Sequence, residues 1–315
     1  MSMDLARRLR ERQTRASSQP PLAQDILGGR EIEHPGGTLY LITDEWSGEL
    51  PWPSPGDLDF QLQLLHGIGP YNEGRLQAEG YHRLEDLVDH PRWGGQAKGM
   101  LAAIDQGDVY TLRQAGACDW DLVGMFRPEE AVFLDIETTG LVSSRPLFLV
   151  GIIHWQGGVF YLKQYLARNF EEEGPLLSLV VQELKDYPLI FTYNGKTFDL
   201  PFIRARCLSH GLPLPKGHLH VDLLSHARRA WQHQLPNCRL TTVEDYCLQS
   251  RPAEDIPGAL IPEIYYHFVE TQDVGAIEGV IRHNALDLDT LTKLIPILQK
   301  PGLDPQPKGG RAYSS

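Results

Sequence analysis

Three groups of acidic residues sit where a strand ends, a turn closes or a helix face is apolar on one side. The first is Asp135-Ile136-Glu137. At a period of two, Asp135 and Glu137 leave a strand on the same face. Two carboxylates so placed can share a divalent cation, which prefers hard oxygen ligands. Spacing alone discriminates little, because Glu31/Glu33, Asp57/Asp59, Asp119/Asp121 and Asp287/Asp289 repeat it. Context discriminates: Ala131-Val132-Phe133-Leu134 is too apolar for a surface edge, and Thr138-Thr139-Gly140 breaks the strand directly after the acids. In mixed α/β sheets, strand ends are where sites form. The second group is Asn194-Gly195-Lys196-Thr197-Phe198-Asp199, where strand PLIFTY runs into a turn and Asp199 opens a helix. Alone, Asp199 reads as a helix cap or first-turn residue. The third is His283-Asn284-Ala285-Leu286-Asp287. His283 and Asp287 share one helix face, about 6 Å apart along the axis. One can bind a metal while the other handles a proton; alone, they read as a helix-stabilising pair. Asp289 is a rival to Asp287 but lies about 200° around the helix from it, so Asp287 is preferred.

The elements that must position these groups alternate. Within residues 130–300, AVFLDIE, LFLVGIIHW and GVFYLKQYL read as strands, the last two joined through Gln156-Gly157-Gly158 as a hairpin. EEGPLLSLVVQELKD reads as a helix, PLIFTYN as a fourth strand, FDLPFIRARCLSHG as a helix and HLHVDLL as a short fifth strand, with mostly helix beyond. This pattern predicts an α/β fold, a mixed sheet covered by helices. Before it, residues 57–118 read as helical, and residues 21–56 hold one strand, Thr38–Thr43. Residues 1–20, with Arg7, Arg8, Arg10, Arg12 and Arg15, read as a flexible basic arm, and residues 301–315 as a disordered tail.

The chain has 315 residues, 42% of them hydrophobic, enough for a large domain and a smaller one. No run approaches the roughly 18–20 apolar residues of a membrane span, and no apolar stretch follows the basic N-terminus as a secretory signal needs. Cys118, Cys207, Cys238 and Cys247 form no CxxC pair, which fits a reduced cytoplasmic location. The net charge of −12 excludes a general basic coat for nucleic acid. It does not exclude a cation-holding acidic site with a few phosphate contacts.

Taken in order, strand-DxE-TG, strand-NxxxFD-helix and helical HNxxD resemble the DEDD exonuclease superfamily. More closely, VFLDIETTGL, TYNGKTFDLPFIRAR, HLHVDLLSHARRAW, CRLTTVEDYCL, DIPGALIPEIYYHFV and VIRHNALDLDTL are similar to the YprB-like family of predicted exonucleases with a ribonuclease H-like domain. The resemblance covers about 130–300, with a weaker likeness at LGGREIEHPGGTLYLI. It implies a ribonuclease H-like mixed sheet of about five strands, in order 3-2-1-4-5, with flanking helices and a smaller, mostly helical N-terminal region. It also implies a metal-dependent nuclease, a 3′–5′ exonuclease using two divalent cations, Mg2+ or Mn2+, and acting on DNA or RNA. By position, Asp135, Glu137, Asp199 and Asp287 match the metal ligands, and His283 the residue that activates water. Members with His usually place four residues before the last Asp and members with Tyr three; here a His has three. The resemblance puts Thr138, Thr139, Gly140 and Leu141 against the terminal nucleotide, with Asn194 and Phe198 beside them.

LLHGIGPYNEGRL resembles a helix-hairpin-helix DNA-binding motif, in which a hairpin and a helix N-terminus offer N–H groups to phosphate. Ile68 would anchor the turn, and Gly69 would take a backbone conformation unfavourable to a side chain. A plain helical packing module is the alternative for this segment. For the whole chain, the alternatives are a non-catalytic nucleic-acid-binding or scaffold protein on the same fold, or a ribonuclease H-like endonuclease.

Overall fold

The computed structural model describes residues 26–214, 217–248 and 255–299, so the arm and tail expected at 1–20 and 301–315 lie outside the described residues. Among the described residues there are seven strands: β1 (Arg30–His34), β2 (Gly37–Ser47), β3 (Ala131–Thr138), β4 (Leu147–Gln156), β5 (Val159–Leu166), β6 (Leu189–Thr192) and β7 (Leu219–Asp222). The helices are α1 (Pro70–Ala78), α2 (Gly94–Asp105), α3 (Val109–Gln114), α4 (Asp119–Val123), α5 (Glu173–Leu184), α6 (Asp199–Ser209), α7 (Leu223–Trp231), α8 (Leu240–Cys247), α9 (Ile261–Thr271) and α10 (Val274–Leu298). The chain divides into two compact units, one from Pro51 to Pro128 and the other from the parts up to Leu50 and from Glu129.

In the larger unit the sheet order is β1-β2-β5-β4-β3-β6-β7. β3 is antiparallel to β4 and parallel to β6. The stretch β5-β4-β3-β6-β7 has the expected 3-2-1-4-5 order, but the sheet has seven strands, not five. The difference lies in β2, which pairs with β5 from Tyr40↔Leu166 to Ser47↔Val159 and carries β1 on its outer side. Without it, β5 would be a long edge with unpaired N–H and C=O groups.

The β4–β5 hairpin closes through Gly157 (φ +59°) and Gly158 (φ +90°). Two positive φ values in a two-residue loop match the right-handed twist of the flanking strands. On β5, side chains alternate between the two faces. Lys163 and Tyr165 reach Glu183 of α5 at 2.5 and 3.1 Å, while Gln164 reaches Ile281 and Asn284 of α10. Helices therefore cover both faces. β3 is buried on both sides: Val132, Phe133 and Leu134 are fully enclosed, and Phe133 stacks on Phe191 of β6. The first polar position on this strand is Asp135.

One buried charge pins the N-terminal strands. The Arg168 side chain is 2% exposed; it donates to Glu172 and, at 2.6 Å, to Glu31 of β1. Removing one partner of a buried ion pair leaves the other charge unpaired. Arg168→Ala should therefore lower unfolding stability by about 3–5 kcal/mol in urea titration. A loss under about 1 kcal/mol, the worth of an exposed pair, would contradict this reading.

Candidate functional site

β6 pairs with β3 only through Ala131, Val132 and Phe133. Beyond them the flank of β3 is open, and the Ile136 N–H donates there to the carboxylate of Asp199. The turn leading to Asp199 is tightly determined. Asn194 takes the left-handed conformation (φ +69°). A Cβ on Gly195 would stand 2.3 Å from Thr192 Oγ1, so no side chain fits there. Asp222, at the end of β7 and buried, accepts the N–H groups of Asn194 (2.8 Å), Lys196 (3.0 Å) and Leu224 (3.1 Å). One carboxylate thereby fixes the turn and caps α7.

α10 brings in the third group. Asn284 Nδ2 donates to Asp135 Oδ2 at 2.7 Å. His283 Nδ1 lies 2.9 Å from Asp255 Oδ1, and its Nε2 lies 3.7 Å from Asp287 Oδ2. Asp289 faces elsewhere and pairs with Lys293 at 2.5 Å.

Glu137, Asp199 and Asp287 all act on Asp135 through their charge. Burial raises the Asp135 carboxyl well above its ordinary range, and the charges of Glu137, Asp199 and Asp287 raise it further, opposed by the Asn284 hydrogen bond. Burial likewise pushes Asp199 up to about 7, against the N–H groups of Asp199 and Ile136, with Asp222 and Asp287 adding to the rise. A site with this surplus of negative charge and hard oxygen donors fits divalent cations. The side chains do not yet close on one point: among the described residues, no group of three or more His, Cys, Asp and Glu is arranged to hold a metal ion as it stands.

The other candidate residues divide by what they touch. Thr138 Oγ1 donates to Gly140 O (2.8 Å) and Thr139 Oγ1 to Pro146 O (3.1 Å), so both hydroxyls shape the loop. Next to them Leu141 is 87% and Val142 60% exposed, an apolar pair facing solvent. Asn194 Oδ1 accepts from Thr197 Oγ1 (2.7 Å), and Phe198 is half-buried against the core and Phe202. Asp222, Asp255 and Asn284 are not among the residues to which the sequence motifs give a role. Asp222 had a local signal, an acid between a strand and a helix; Asp255 had none.

In the smaller unit, Ile68 is buried with Leu62, Leu65, Leu76, Leu84, Leu87, Trp93 and Ala97. The expectation for Gly69 is corrected: its backbone is extended (φ −101°), and a Cβ there would meet nothing within 4 Å. Gly67 carries the left-handed conformation instead (φ +86°), because the turn closes one residue pair earlier, with Ile68 N–H on Leu65 O.

Residues 132–299 match the RNase_H_2 family of the RNase_H superfamily. The chain belongs to that superfamily, as a YprB-like member. It is 36% identical over 201 residues to "Uncharacterized protein YprB" of Bacillus subtilis (strain 168), covering 62% of this chain and 48% of that protein, so it spans about half the relative's length. Over 76 residues it is 32% identical to a DNA polymerase of Methanocaldococcus jannaschii, covering 23% of this chain and 5% of the polymerase. The solved family B DNA polymerase of Pyrobaculum calidifontis is similar with a TM-score of 0.44 and 18% identity, over 54% of this chain and 25% of that one. No described helix is long and apolar enough to cross a membrane.

The raised carboxyls have a consequence for stability. Between the ordinary 3.8 and about 7, folded Asp199 binds more protons than the unfolded chain does. Its contribution to stability therefore falls as pH rises through that window and levels off above it. In divalent-free buffer, the unfolding free energy of the wild type minus that of Asp199→Asn should decline from about pH 4 to about pH 7. A difference that stays flat or rises would mean the carboxyl is not shifted upward.

Proposed function

We propose that this chain hydrolyses phosphodiester bonds of nucleic acid, removing nucleotides from 3′ ends with two divalent cations, Mg2+ or Mn2+. The observation that carries the reading is the shared charge of Asp135, Glu137, Asp199 and Asp287 on three different elements. The match to a DNA polymerase segment agrees with it. When bound, the cations supply the positive charge that offsets the anionic crowding at phosphorus during in-line displacement.

The chain's own residues do the rest. The four carboxylates are the cation ligands. His283 accepts the proton of the attacking water at Nε2, its ring oriented by Asp255 at Nδ1. The exposed Leu141 and Val142 lie against the terminal base, with the backbone of Thr138–Gly140 around the sugar and phosphate. Asn194 and Phe198 flank that nucleotide from the turn before α6.

The test is a panel of DNA and RNA, single- and double-stranded, labelled at either end or closed into circles, with Mg2+ or Mn2+. Linear substrates should shorten from the 3′ end, circles should survive, and Asp135→Ala should be inactive. Cut circles would mean an endonuclease, and no cleavage of any substrate a binding or scaffold protein. On the substrate that is cleaved, His283→Ala should slow turnover about 10²–10⁴-fold while leaving metal affinity near the wild-type value. A near-normal rate would remove His283 from the proton path.

A second reading concerns the hairpin Gly67–Pro70. The indole nitrogen of Trp93 is buried without a hydrogen-bond partner, 3.9 Å from where a Cβ on Gly67 would stand, and α1 starts behind Gly69 with no side-chain cap. This supports a role for the hairpin in presenting N–H donors to a backbone phosphate. Gly67→Val, strained at φ +86°, should weaken binding to long duplexes in a salt-dependent way and spare hydrolysis of very short substrates. Equal losses on both would point to misfolding, and no loss to a packing module.

A further inference from the structure

Asp135, Gly151 and Gln164 stand in one row across three strands: Asp135 is paired with Gly151 on β4, and Gly151 with Gln164 on β5. Side chains in such a row share one face of the sheet. The middle position has no side chain, and Asn284 of α10 fills the space above it. A Cβ on Gly151 would stand 2.1 Å from Asn284 Oδ1, so any other residue would expel the amide. Asn284 is completely buried and Gln164 is 1% exposed.

Their hydrogen bonds have a fixed direction. Gln164 Nε2 donates to Ile281 O at 2.7 Å. A carbonyl only accepts, so the atom there must be the nitrogen. The same Nε2 donates to Asn284 Oδ1 at 2.8 Å, which turns Asn284 Nδ2 toward Asp135 Oδ2 at 2.7 Å. The α10 backbone thus sets the polarity of a chain of amides that ends on a carboxylate.

We infer that Asn284 is a positioning residue for Asp135, held by Gln164, and that this relay fixes which Asp135 oxygen is committed to the protein. Oδ2 is held by the amide and Oδ1 lies outside the relay. The proposal rests on reading Asp135 as a cation ligand. An amide suits the task because it donates without carrying charge. A lysine or arginine in its place would orient Asp135 but also neutralise it and compete with the cation. Gln164 touches no member of the acidic group in these bonds, so its effect on the site passes through Asn284.

The test uses the full chain and Mn2+ alone, with free Mn2+ followed by electron paramagnetic resonance. Asn284→Ala and Gln164→Leu should each weaken Mn2+ binding about tenfold, the usual scale for a group supporting a ligand. The double variant should be no weaker than the worse single one, because both changes break one relay. Wild-type affinity in Asn284→Ala, or losses that multiply in the double variant, would overturn the inference. A second measurement needs no metal: in nitrogen-15 NMR, the Asn284 side-chain amide signals should shift on Asp135→Asn and on Gln164→Leu. Unmoved signals would overturn the inference even if the variants bind poorly through loss of fold. If the wild type binds no Mn2+, the reading of the acids as a cation site fails by itself, and the amide signals still decide whether the relay exists.

Discussion

Like charges held close together and shielded from water repel, and at this site the fold must supply the restraint. Asp135 feels three other carboxylates from a partly buried position at the end of an enclosed strand. In an interior of low effective dielectric, each such pair costs more than it would at the surface. The restraint is built from rigid pieces. Asp135 and Glu137 stand on a strand buried on both faces, Asp199 begins a helix, and Asp287 lies within a helix of 25 residues. The backbones of these acids cannot move apart without moving an element, so the repulsion is relieved only by rotation of the side chains.

Neutral donors then hold the acids without cancelling their charge. The Ile136 N–H faces Asp199 where β6 stops short, and the Asn284 amide faces Asp135 where Gly151 leaves room. Asp222 holds the turn before Asp199 through two backbone N–H groups and caps α7 through a third, although its own charge adds to the burden on Asp199. Crowding the acids in this way lowers the stability of the domain, the usual compromise where function needs strained electrostatics. The sheet carries the cost: β3 and β4 are enclosed almost throughout, and α5 and α10 cover opposite faces.

What could be read from the sequence follows the range of the interactions. β3, β4 and β5 were legible as apolar runs, and the Gly157-Gly158 turn as a hairpin, because these signals are local. The acids were legible by type and by the order of their motifs, and the structure brings Asp135 under the influence of the other three. The attachment of β2 to β5 was not legible, since 112 residues separate Ser47 from its partner Val159 and no local pattern records the pairing. Gly151, Gln164 and Asn284 look unrelated in sequence; their meaning appears only when register places them in one row. Gly67 and Gly69 show a smaller limit: two glycines mark a tight turn, but which one takes positive φ depends on where the turn closes, here with Ile68 N–H on Leu65 O.

The most direct measurement of the central claim is anomalous scattering from crystals of the full chain soaked in Mn2+. The account predicts peaks lying between Asp135, Glu137, Asp199 and Asp287, with an oxygen of each carboxylate turned toward them. Peaks elsewhere, no peak at all, or one of the four carboxylates directed away from the metal would contradict it.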